Sequence, residues 1–278
     1  MNSSSFHTVT IAGGIGFVGY HITEAFLNDG SYKVKVLQRK PEKQNEKVAL
    51  LTSKGVEIVY ADYNQHDDLV KALQGTDVVI SALSPETTSV PFDYEAIQFP
   101  LLTAAKEANV KRFIPSEYGF LYSDNTHMIT DGKAKLREKI ENIGIEYTYF
   151  SVGLLQEYVS WLGFDVENKK ATFYADENSK ISITSVTDIG KYIVESLKMQ
   201  ESRNASIMVA GTTLSLNEIL QKYEAATGSK WDVIKDKEAQ EPMDQFRVVI
   251  QKNGAFDKVD NDKFSFQPRP LTEVNTKM

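Results

Sequence analysis

The chain has 278 residues, of which 41% are hydrophobic and 25% charged, a composition typical of a soluble globular protein, and it is long enough for one large α/β domain with a sizeable core. Its 31 basic and 38 acidic side chains give a net charge of −7. This balance argues against nucleic acid or a membrane surface as a partner, because both require a concentrated positive patch. The absence of cysteine excludes disulfides and thiolate catalysis. The four histidines lack ligand spacing, so we expect no metal site.

The N-terminal residues show neither the basic region nor the apolar core of a secretory signal. No apolar run approaches the length that crosses a membrane. We therefore expect a cytoplasmic protein.

A glycine-rich stretch follows the first apolar run, 8–12, and precedes a helical pattern; it reads Gly13-Gly14-Ile15-Gly16-Phe17-Val18-Gly19. Glycines allow a tight turn and a close approach to a pyrophosphate, whose charge then lies on the N–H groups of the following helix. This context predicts that these seven residues form a dinucleotide-binding loop. Two spacings overlap here, that of classical dehydrogenases and that of extended and atypical short-chain reductases, and the glycines alone do not choose between them. A glycine-rich turn without a ligand is the alternative.

The end of the second predicted strand, 33–38, indicates the cofactor. An NAD site usually carries Asp or Glu there to bind the ribose hydroxyls, whereas arginine accommodates a 2′-phosphate. This chain has Gln38, Arg39 and Lys40 and no carboxylate. We therefore expect NADP(H), with Arg39 on the phosphate; the alternative is a solvated basic turn.

Strands and helices continue to alternate along the first half. Further strands are expected at 56–61, 77–83, 111–115 and 146–152. Helices are expected at about 18–30 and 42–54, around 69–73 with an end at Gly75, and at about 94–109, with Pro100 kinking or delaying the last of these. Six strands alternating with helices predict a Rossmann-type doubly wound parallel sheet. Because ligands bind beyond the carboxyl ends of such strands, we expect Ser81, Leu83 and Ser116 to border the cofactor and Tyr118 to lie near the nicotinamide ribose or the substrate.

A further helix is predicted from Asp131 as N-cap to Gly144 as stop, with an apolar stripe of Leu136, Ile140 and Ile143. Lys133 then lies in the first turn, flanking that stripe, where a lysine can exchange a proton with a substrate. The alternative is that Lys133, Lys135, Arg137 and Lys139 form a solvated helical face. Composition alone favours this alternative.

Four segments resemble the isoflavone reductase-like group, which includes the phenylcoumaran benzylic ether and pinoresinol-lariciresinol reductases and lies within the NmrA-like atypical short-chain reductases. They are Gly13 to Gly19, the Pro-Ser-Glu-Tyr-Gly motif within 110–119, Lys133-Ala134-Lys135-Leu136-Arg137, and 144–149. The likeness extends over most of the chain and is strongest before Ser151. It implies NADPH-dependent reduction, with Lys133 as catalytic acid/base, Arg39 and Lys47 as cationic cofactor contacts, and Arg137 as the arginine of the lysine motif.

The chain departs from the plant members of the group at several positions. Ile15 replaces a common threonine, the segment 120–132 is short, and 152–155, which includes Leu154, lacks the asparagine of plant enzymes. Ile129 stands four residues before Lys133, so the Tyr-x-x-x-Lys pair of standard short-chain dehydrogenases is missing. These differences argue against a plant lignan or isoflavonoid substrate, and the chain looks closer to fungal members.

The second half reads as a smaller substrate lobe. Short strands are expected at 171–174, 181–184 and 205–209, and helices at about 186–198 and from a capping box at Ser215 and Glu218 to Gly228. The polar tail after Phe256 is expected to be loosely held. Leu154 and Tyr158, with Tyr118, are candidate substrate contacts. We place an NADP-binding Rossmann domain at 1–153 and a mainly substrate-binding lobe at 154–278, with some elements returning to the main sheet.

These patterns together predict an NADPH-dependent oxidoreductase acting on a small, aromatic or conjugated molecule, as a monomer or homodimer. The main alternative is a non-catalytic NADP(H)-binding regulator of the NmrA type, which senses redox state and binds a protein. A nucleotide-dependent isomerase or epimerase is a third reading, against which the missing Tyr-x-x-x-Lys pair counts.

Overall fold

The structure is a computed structural model that describes residues 6–40, 45–84, 93–120, 128–235 and 238–276, without the side chains of Met128 and Ile129. In chain order the strands are β1 (Thr8–Ala12), β2 (Lys33–Gln38), β3 (Glu57–Tyr60), β4 (Val78–Ser81), β5 (Arg112–Ile114), β6 (Glu146–Ser151), β7 (Leu154–Leu155), β8 (Phe164–Asp165), β9 (Lys170–Phe173), β10 (Lys180–Thr184), β11 (Ala205–Met208), β12 (Thr212–Ser215) and β13 (Asp232–Lys235). The α-helices are α1 (Phe17–Asp29), α2 (Glu46–Ser53), α3 (His66–Leu73), α4 (Tyr94–Glu107), α5 (Met128–Ile143), α6 (Val186–Ser196), α7 (Leu216–Thr227) and α8 (Pro242–Asn253).

The chain divides into two compact units. The first contains residues 1–117, 121–149 and 189–207, and the second contains 118–120, 150–188 and 208–278. The chain passes from one unit to the other within β6 and within β11, so neither unit is continuous in sequence. No helix in the described part of the chain is both long and apolar enough to cross a membrane.

The first unit is built on a seven-stranded sheet with the order β3-β2-β1-β4-β5-β6-β11. Neighbouring strands from β3 to β6 pair in parallel. The first six strands have the Rossmann order, in which the chain reverses direction across the sheet between β1 and β4. At this reversal Ala12 of β1 pairs with Leu37 on one side and with Ser81 on the other. The predicted fold class is confirmed.

The core of the first unit lies between the sheet and helices α3, α4 and α5. Every residue of β4 is buried, as its largely apolar sequence predicts for an inner parallel strand. The helices contribute stripes of apolar side chains at helical spacing, including Leu69 and Leu73, Leu101 and Ala105, and Leu136 and Ile140. This packing places the N-terminal half of α5 against the loop that follows β5. Side chains of both α4 and α5 form hydrogen bonds with that loop.

Two helix expectations are corrected. Helix α5 begins at Met128 rather than after Asp131, so Lys133 lies in its second turn. Asp131 does not act as the cap, because its Oδ1 is buried and accepts no hydrogen bond from the described residues. Helix α4 is not delayed by Pro100: it begins at Tyr94, where the Asp93 side chain accepts a hydrogen bond from the Ala96 N–H, and it continues through the proline.

The second unit contains two small sheets, with the orders β12-β10-β7 and β13-β9-β8. The predicted capping box is confirmed at the start of α7, where the Ser215 and Glu218 side chains each accept the other's backbone N–H, and Gly228 ends the helix in the left-handed conformation. Strands β7, β8, β12 and β13 and helix α8 were not expected. The short strands were not expected because they carry too few residues to show a period. Helix α8 was not expected because the strand before it, β13, consists of exposed residues and shows no buried face.

The C-terminal tail is not loosely held as expected. Phe264, Leu271 and Val274 are buried, and the Asp260 carboxylate and Asn261 side chain accept hydrogen bonds from backbone N–H groups of 208 and 210. The sequence shows little sign of this, because three apolar residues spread over 264–274 are too few to establish a period along the segment.

Helix α6 crosses α1 at a glycine. A Cβ added at Gly190 would lie 2.6 Å from the Ala25 Cβ and 2.8 Å from the His21 carbonyl oxygen, closer than real Cβ contacts. Overpacking of this kind forces backbone shifts. We therefore expect Gly190→Ala to lower the free energy of unfolding by about 1–3 kcal/mol, measured by urea denaturation. Lys191→Ala, the next position on α6, is the control and should change stability by less than about 0.5 kcal/mol; equal effects from the two variants would contradict the crossing geometry.

Candidate cofactor-binding and active site

The glycine loop joins β1 to α1 at the point where the sheet reverses. Gly13 has φ 78°, in the left-handed region, and its carbonyl accepts a hydrogen bond from the Gly16 N–H at 2.9 Å. Gly16 is the N-cap of α1 and has no side chain to satisfy the first N–H groups of the helix, and the first turn of α1 carries no acidic residue. A helix start of this composition can receive an anion.

Three of the glycines are required by the protein's own packing. A Cβ at Gly13 would lie 2.8 Å from the Ala82 carbonyl oxygen, in the loop after β4. At Gly14 it would lie 2.7 Å from a Val36 methyl group. At Gly19 it would lie 2.1 Å from the Gly13 carbonyl oxygen, so any side chain there would force the loop away from α1.

Gly16 differs from the other loop glycines. It is exposed, and an added Cβ would meet only the Gly13 carbonyl oxygen, at 3.2 Å. The space in front of Gly16 is therefore left open by the protein. This open space lies at the start of α1, where a pyrophosphate would bind.

Thr23 fixes the two ends of the glycine loop. Its buried hydroxyl lies 3.0 Å from the Gly14 carbonyl oxygen and 2.9 Å from the Gly19 carbonyl oxygen, and it can donate to either. The sequence analysis missed this residue. The only signal was a polar side chain on the apolar face of α1, next to Ile22 and one turn before Phe26.

The end of β2 carries the cations predicted to read a 2′-phosphate. Arg39 and Lys40 are exposed, and Arg39 forms no ion pair with a described residue. The Gln38 Nε2 is buried and donates to no described acceptor. The site therefore offers positive charge and spare donors, with no carboxylate at the position where an NAD site usually places one.

Lys47, on α2, lies against the glycine loop. Its Nζ donates a hydrogen bond to the Ile15 carbonyl oxygen at 3.3 Å and lies 5.2 Å from the centre of the Tyr20 ring. Lys47 and the loop are separated by 32 positions in the sequence, and the fold brings them together. Lys47 and the glycine loop therefore fit a nucleotide that carries phosphate groups.

Ser81 and Leu83 follow β4, next to the glycine loop. Ser81 is fully buried, and its Oγ lies 3.5 Å from the Leu83 N–H. The Ala82 N–H donates to the Ala12 carbonyl oxygen at 2.8 Å, which extends the pairing of β1 and β4 by one residue. The structure thus brings the predicted residues of the β1 and β4 ends together.

The loop after β5 is held by side chains from two helices. The Ser116 N–H donates to the Gln98 Oε1 on α4 at 2.7 Å, and the Glu117 N–H donates to the Pro115 carbonyl oxygen at 2.9 Å, which closes a three-residue turn. Gln98 is fully buried and lies on the stripe formed with Leu101, Leu102 and Ala105. The sequence analysis missed Gln98, although a polar residue at a core position of a helix is a detectable signal.

Helix α5 binds the same loop with two cations. Lys133 is only 8% exposed, and its Nζ donates to the Glu117 carbonyl oxygen at 2.5 Å and lies 4.6 Å from the centre of the Tyr94 ring. The Arg137 Nη1 donates to the Glu117 Oε2 at 3.0 Å. Lys135 is exposed. The interpretation of α5 as a uniformly solvated basic face is therefore wrong for Lys133.

Glu117 is a buried acid that sequence reasoning did not select, although it belongs to the Pro-Ser-Glu-Tyr-Gly motif. It is 3% exposed, and its Oε1 has no hydrogen-bond partner among the described residues. Burial raises the pKa of the Glu117 carboxyl above its ordinary value, and the positive charges of Lys133 and Arg137 offset part of that rise. A buried acid paired with two cations is an arrangement that recurs at functional sites.

The candidate substrate residues belong to the second unit. Tyr118 is buried, next to Gly119, which bridges to Ser151. Leu154 is buried in β7 and pairs with Ile183. Tyr158 is 49% exposed. Most of the short segment 120–132 predicted to shape the pocket lies outside the described residues, at 121–127.

Comparison with known proteins identifies the family. The NmrA-like family matches residues 5–248 of the chain. Pinoresinol reductase 1 of Arabidopsis thaliana is 33% identical over 246 residues, which are 80% of this chain and 75% of that protein. The chain belongs to the NmrA-like family, and the resemblance seen in its motifs is confirmed.

Solved structures agree with this assignment. The pinoresinol-lariciresinol and phenylcoumaran benzylic ether reductase structures include a chain that is 27% identical, with a TM-score of 0.76 over 87% of this chain and 86% of that one. The binary complex of leucoanthocyanidin reductase with NADPH from Vitis vinifera is 22% identical, with a TM-score of 0.79 over 95% of this chain and 96% of that one. The second likeness concerns the fold alone.

The different surroundings of Gly16 and Gly19 predict different defects. Gly16→Val should leave the free energy of unfolding nearly unchanged but abolish NADPH binding, because the side chain would occupy the open space at the start of α1. Gly19→Ala should instead destabilise the fold, because its Cβ meets backbone at 2.1 Å. Urea denaturation and calorimetric titration with NADPH separate the two effects. Normal nucleotide binding by folded Gly16→Val would show that the loop does not hold the pyrophosphate.

Proposed function

We propose that this protein is an NADPH-dependent reductase of a small aromatic or conjugated molecule, with Lys133 as the acid/base. The observation that carries the proposal is the buried Lys133 amine, held against the loop at the carboxyl end of β5 in a Rossmann sheet. Ligands in such sheets bind at the carboxyl ends of the strands. A lysine at this end of the sheet can therefore act as a proton donor to a bound substrate, which supports the proposed role.

The cofactor assignment is supported by the site and by the relatives. An uncapped helix start, the exposed Arg39 and the loop-bound Lys47 provide three positive groups for pyrophosphate and 2′-phosphate. The relatives include proteins named as reductases, and the leucoanthocyanidin reductase structure holds NADPH. This agreement supports the prediction of NADP(H) made from the residues after β2.

The residues divide the chemistry between them. NADPH, when bound, supplies the hydride. The glycine loop, with Ser81, Leu83 and Ser116 at neighbouring strand ends, positions the nucleotide, while Arg39 and Lys47 neutralise its phosphates. The Lys133 Nζ carries three hydrogen-bond donors when protonated and gives a proton to the substrate atom that gains negative charge. Arg137 binds Glu117 and thereby supports the loop beside Lys133.

The substrate class follows from the relatives and from the second unit. Pinoresinol reductase 1 is named for an aromatic substrate, and the half-exposed ring of Tyr158 offers a surface on which an aromatic ring can stack. We propose Tyr118, Leu154 and Tyr158 as substrate contacts on this basis. The chain's departures at Ile15 and in 152–155 argue for a substrate other than those of the plant enzymes.

A substrate screen tests the proposal directly. Purified protein is incubated with NADPH and with enones, quinones or benzylic ethers, and NADPH consumption is followed by absorbance. Turnover of any of these classes supports the reductase and eliminates a purely regulatory role. Tight NADPH binding without consumption by any class would favour the NmrA-type regulator instead.

Arg39 should determine cofactor preference. A charge-assisted hydrogen bond contributes about 1.5–3 kcal/mol, so Arg39→Ala should weaken NADPH binding about 10- to 100-fold and leave NADH binding nearly unchanged. Calorimetric titration measures both affinities. Lys40→Ala, which removes the neighbouring exposed cation, is the matched control and should have the smaller effect. An equal loss for NADPH and NADH would mean that Arg39 supports the fold and does not read the 2′-phosphate.

Lys133 should be required for turnover but not for nucleotide binding. Lys133→Ala should lower kcat about 100- to 10,000-fold, the usual range for a positioned acid/base, while NADPH affinity falls much less. Lys135→Ala is the control, because Lys135 is exposed on the same helix. Similar losses in both variants would assign the helix a general electrostatic role. Unchanged turnover after Lys133→Ala would require another proton source, of which Tyr118 is the first to test.

A further inference from the structure

Glu117 is contacted twice by helix α5. Lys133 donates to its carbonyl oxygen and Arg137 donates to its carboxylate, at 2.5 Å and 3.0 Å. The two donors are four positions apart, so they lie on the same face of the helix, one turn above the other. One loop residue therefore holds both cations.

The charge balance of this cluster depends on the Glu117 carboxylate. Lys133 and Arg137 are like charges on adjacent turns, and such a pair repels unless an anion lies between them. Glu117 supplies that anion from inside the protein, at 3% exposure. Among the described residues, the titratable groups that lie beside the cluster on other elements include Tyr94 of α4, whose ring faces Lys133, and Tyr149 of β6, whose pKa is raised by burial and by the charges of Glu141 and Glu117.

We propose that Glu117 is the positioning residue for Lys133: its ionised carboxylate, bound by Arg137, fixes the carbonyl that holds the Lys133 amine in place. The inference rests on the proposed role of Lys133. Arg137 binds the side chain of Glu117, while Lys133 binds the backbone carbonyl of the same residue. A weaker interaction between Arg137 and the Glu117 carboxylate therefore makes the loop more mobile at the carbonyl that Lys133 binds. Gln98 accepts from the neighbouring Ser116 N–H and, among the described residues, makes no hydrogen bond to Glu117, so it does not replace this anchor.

The anchor should weaken as the pH falls. Burial raises the pKa of the Glu117 carboxyl, so the carboxylate takes up a proton at a higher pH than an ordinary glutamate does. Below that pKa Glu117 is neutral, so the attraction between opposite charges in the pair with Arg137 is lost, although the Arg137 guanidinium can still donate to the neutral carboxyl. The position of Lys133 should therefore become less well defined at acid pH. This pH dependence should disappear when residue 117 cannot ionise.

Amine labelling measures this positioning without substrate or NADPH. The full-length protein is treated briefly with an acylating reagent at a series of pH values, and mass spectrometry gives the ratio of label on Lys133 to label on Lys135. Lys135 is the exposed internal reference on the same helix. We expect a low ratio for the wild type at neutral pH and a rise of about fivefold in Glu117→Gln, which keeps the shape but removes the charge. The wild-type ratio should rise towards the same value as the pH falls, and the ratio for Glu117→Gln should not depend on pH.

Two further variants serve as controls. Glu117→Asp keeps the charge and should stay closer to the wild type than Glu117→Gln; it also provides a test if Glu117→Gln does not fold. Glu95→Gln removes a different ion pair of α5, the partly exposed contact between Lys139 and Glu95 of α4 at 2.6 Å, and should leave the ratio unchanged. Equal ratios for the wild type and Glu117→Gln at every pH, or equal rises for Glu117→Gln and Glu117→Asp, would overturn the proposal.

Turnover separates this inference from the proposed function. If the protein is a reductase, Glu117→Gln should lower kcat while the NADPH dissociation constant stays within about twofold of the wild type, since the nucleotide phosphates are held elsewhere. A labelling ratio that rises in Glu117→Gln, in a protein that consumes no NADPH with any substrate, would refute the reductase and leave the positioning intact. An active enzyme with an unchanged labelling ratio would refute the positioning alone.

Discussion

Close backbone packing at the turn between β1 and α1 is the constraint on which the rest of the first unit depends. The loop passes so near the β4 end and its own helix that no side chain fits at Gly13, Gly14 or Gly19. This approach brings the start of α1 to the point where the sheet reverses direction. Gly16, by contrast, is open on its outer side, so the same packing that builds the fold leaves a space at an uncapped helix start. Structure and ligand recognition therefore come from one short segment.

A second constraint operates at the opposite side of the reversal, after β5. The loop there carries a buried acid, and burying a carboxylate without partners is costly. Two cations from α5 offset that cost, and Gln98 of α4 satisfies the adjacent backbone. A buried ion pair is weak evidence for stability, because desolvation opposes the attraction. The cluster is better understood as a device that sets the position of one lysine.

The elements predicted best were those with long, clear patterns. The six parallel strands and the capping box of α7 were expected within a residue or two of their observed limits, because apolar runs and caps are local signals. The start of α5 was misplaced because Asp131 resembles a cap but makes no capping contact. The small strands β7, β8, β12 and β13 were missed because so few residues show no period. The buried tail was missed because its buried apolar residues, Phe264, Leu271 and Val274, are too few to show a period.

The sequence by itself determined the alternation of strands and helices in the first half, the position of the glycine loop, the lack of an acid after β2 and, through four short segments, the membership of a family. These features are local, since each depends on residue types within about ten positions of one another. Only the tertiary structure decided which of the α5 cations is buried and which is exposed, and that Glu117 and Tyr94 contact Lys133. Burial and charge pairing depend on contacts between segments far apart in the chain, such as the 16 positions between Glu117 and Lys133, and no local pattern records them.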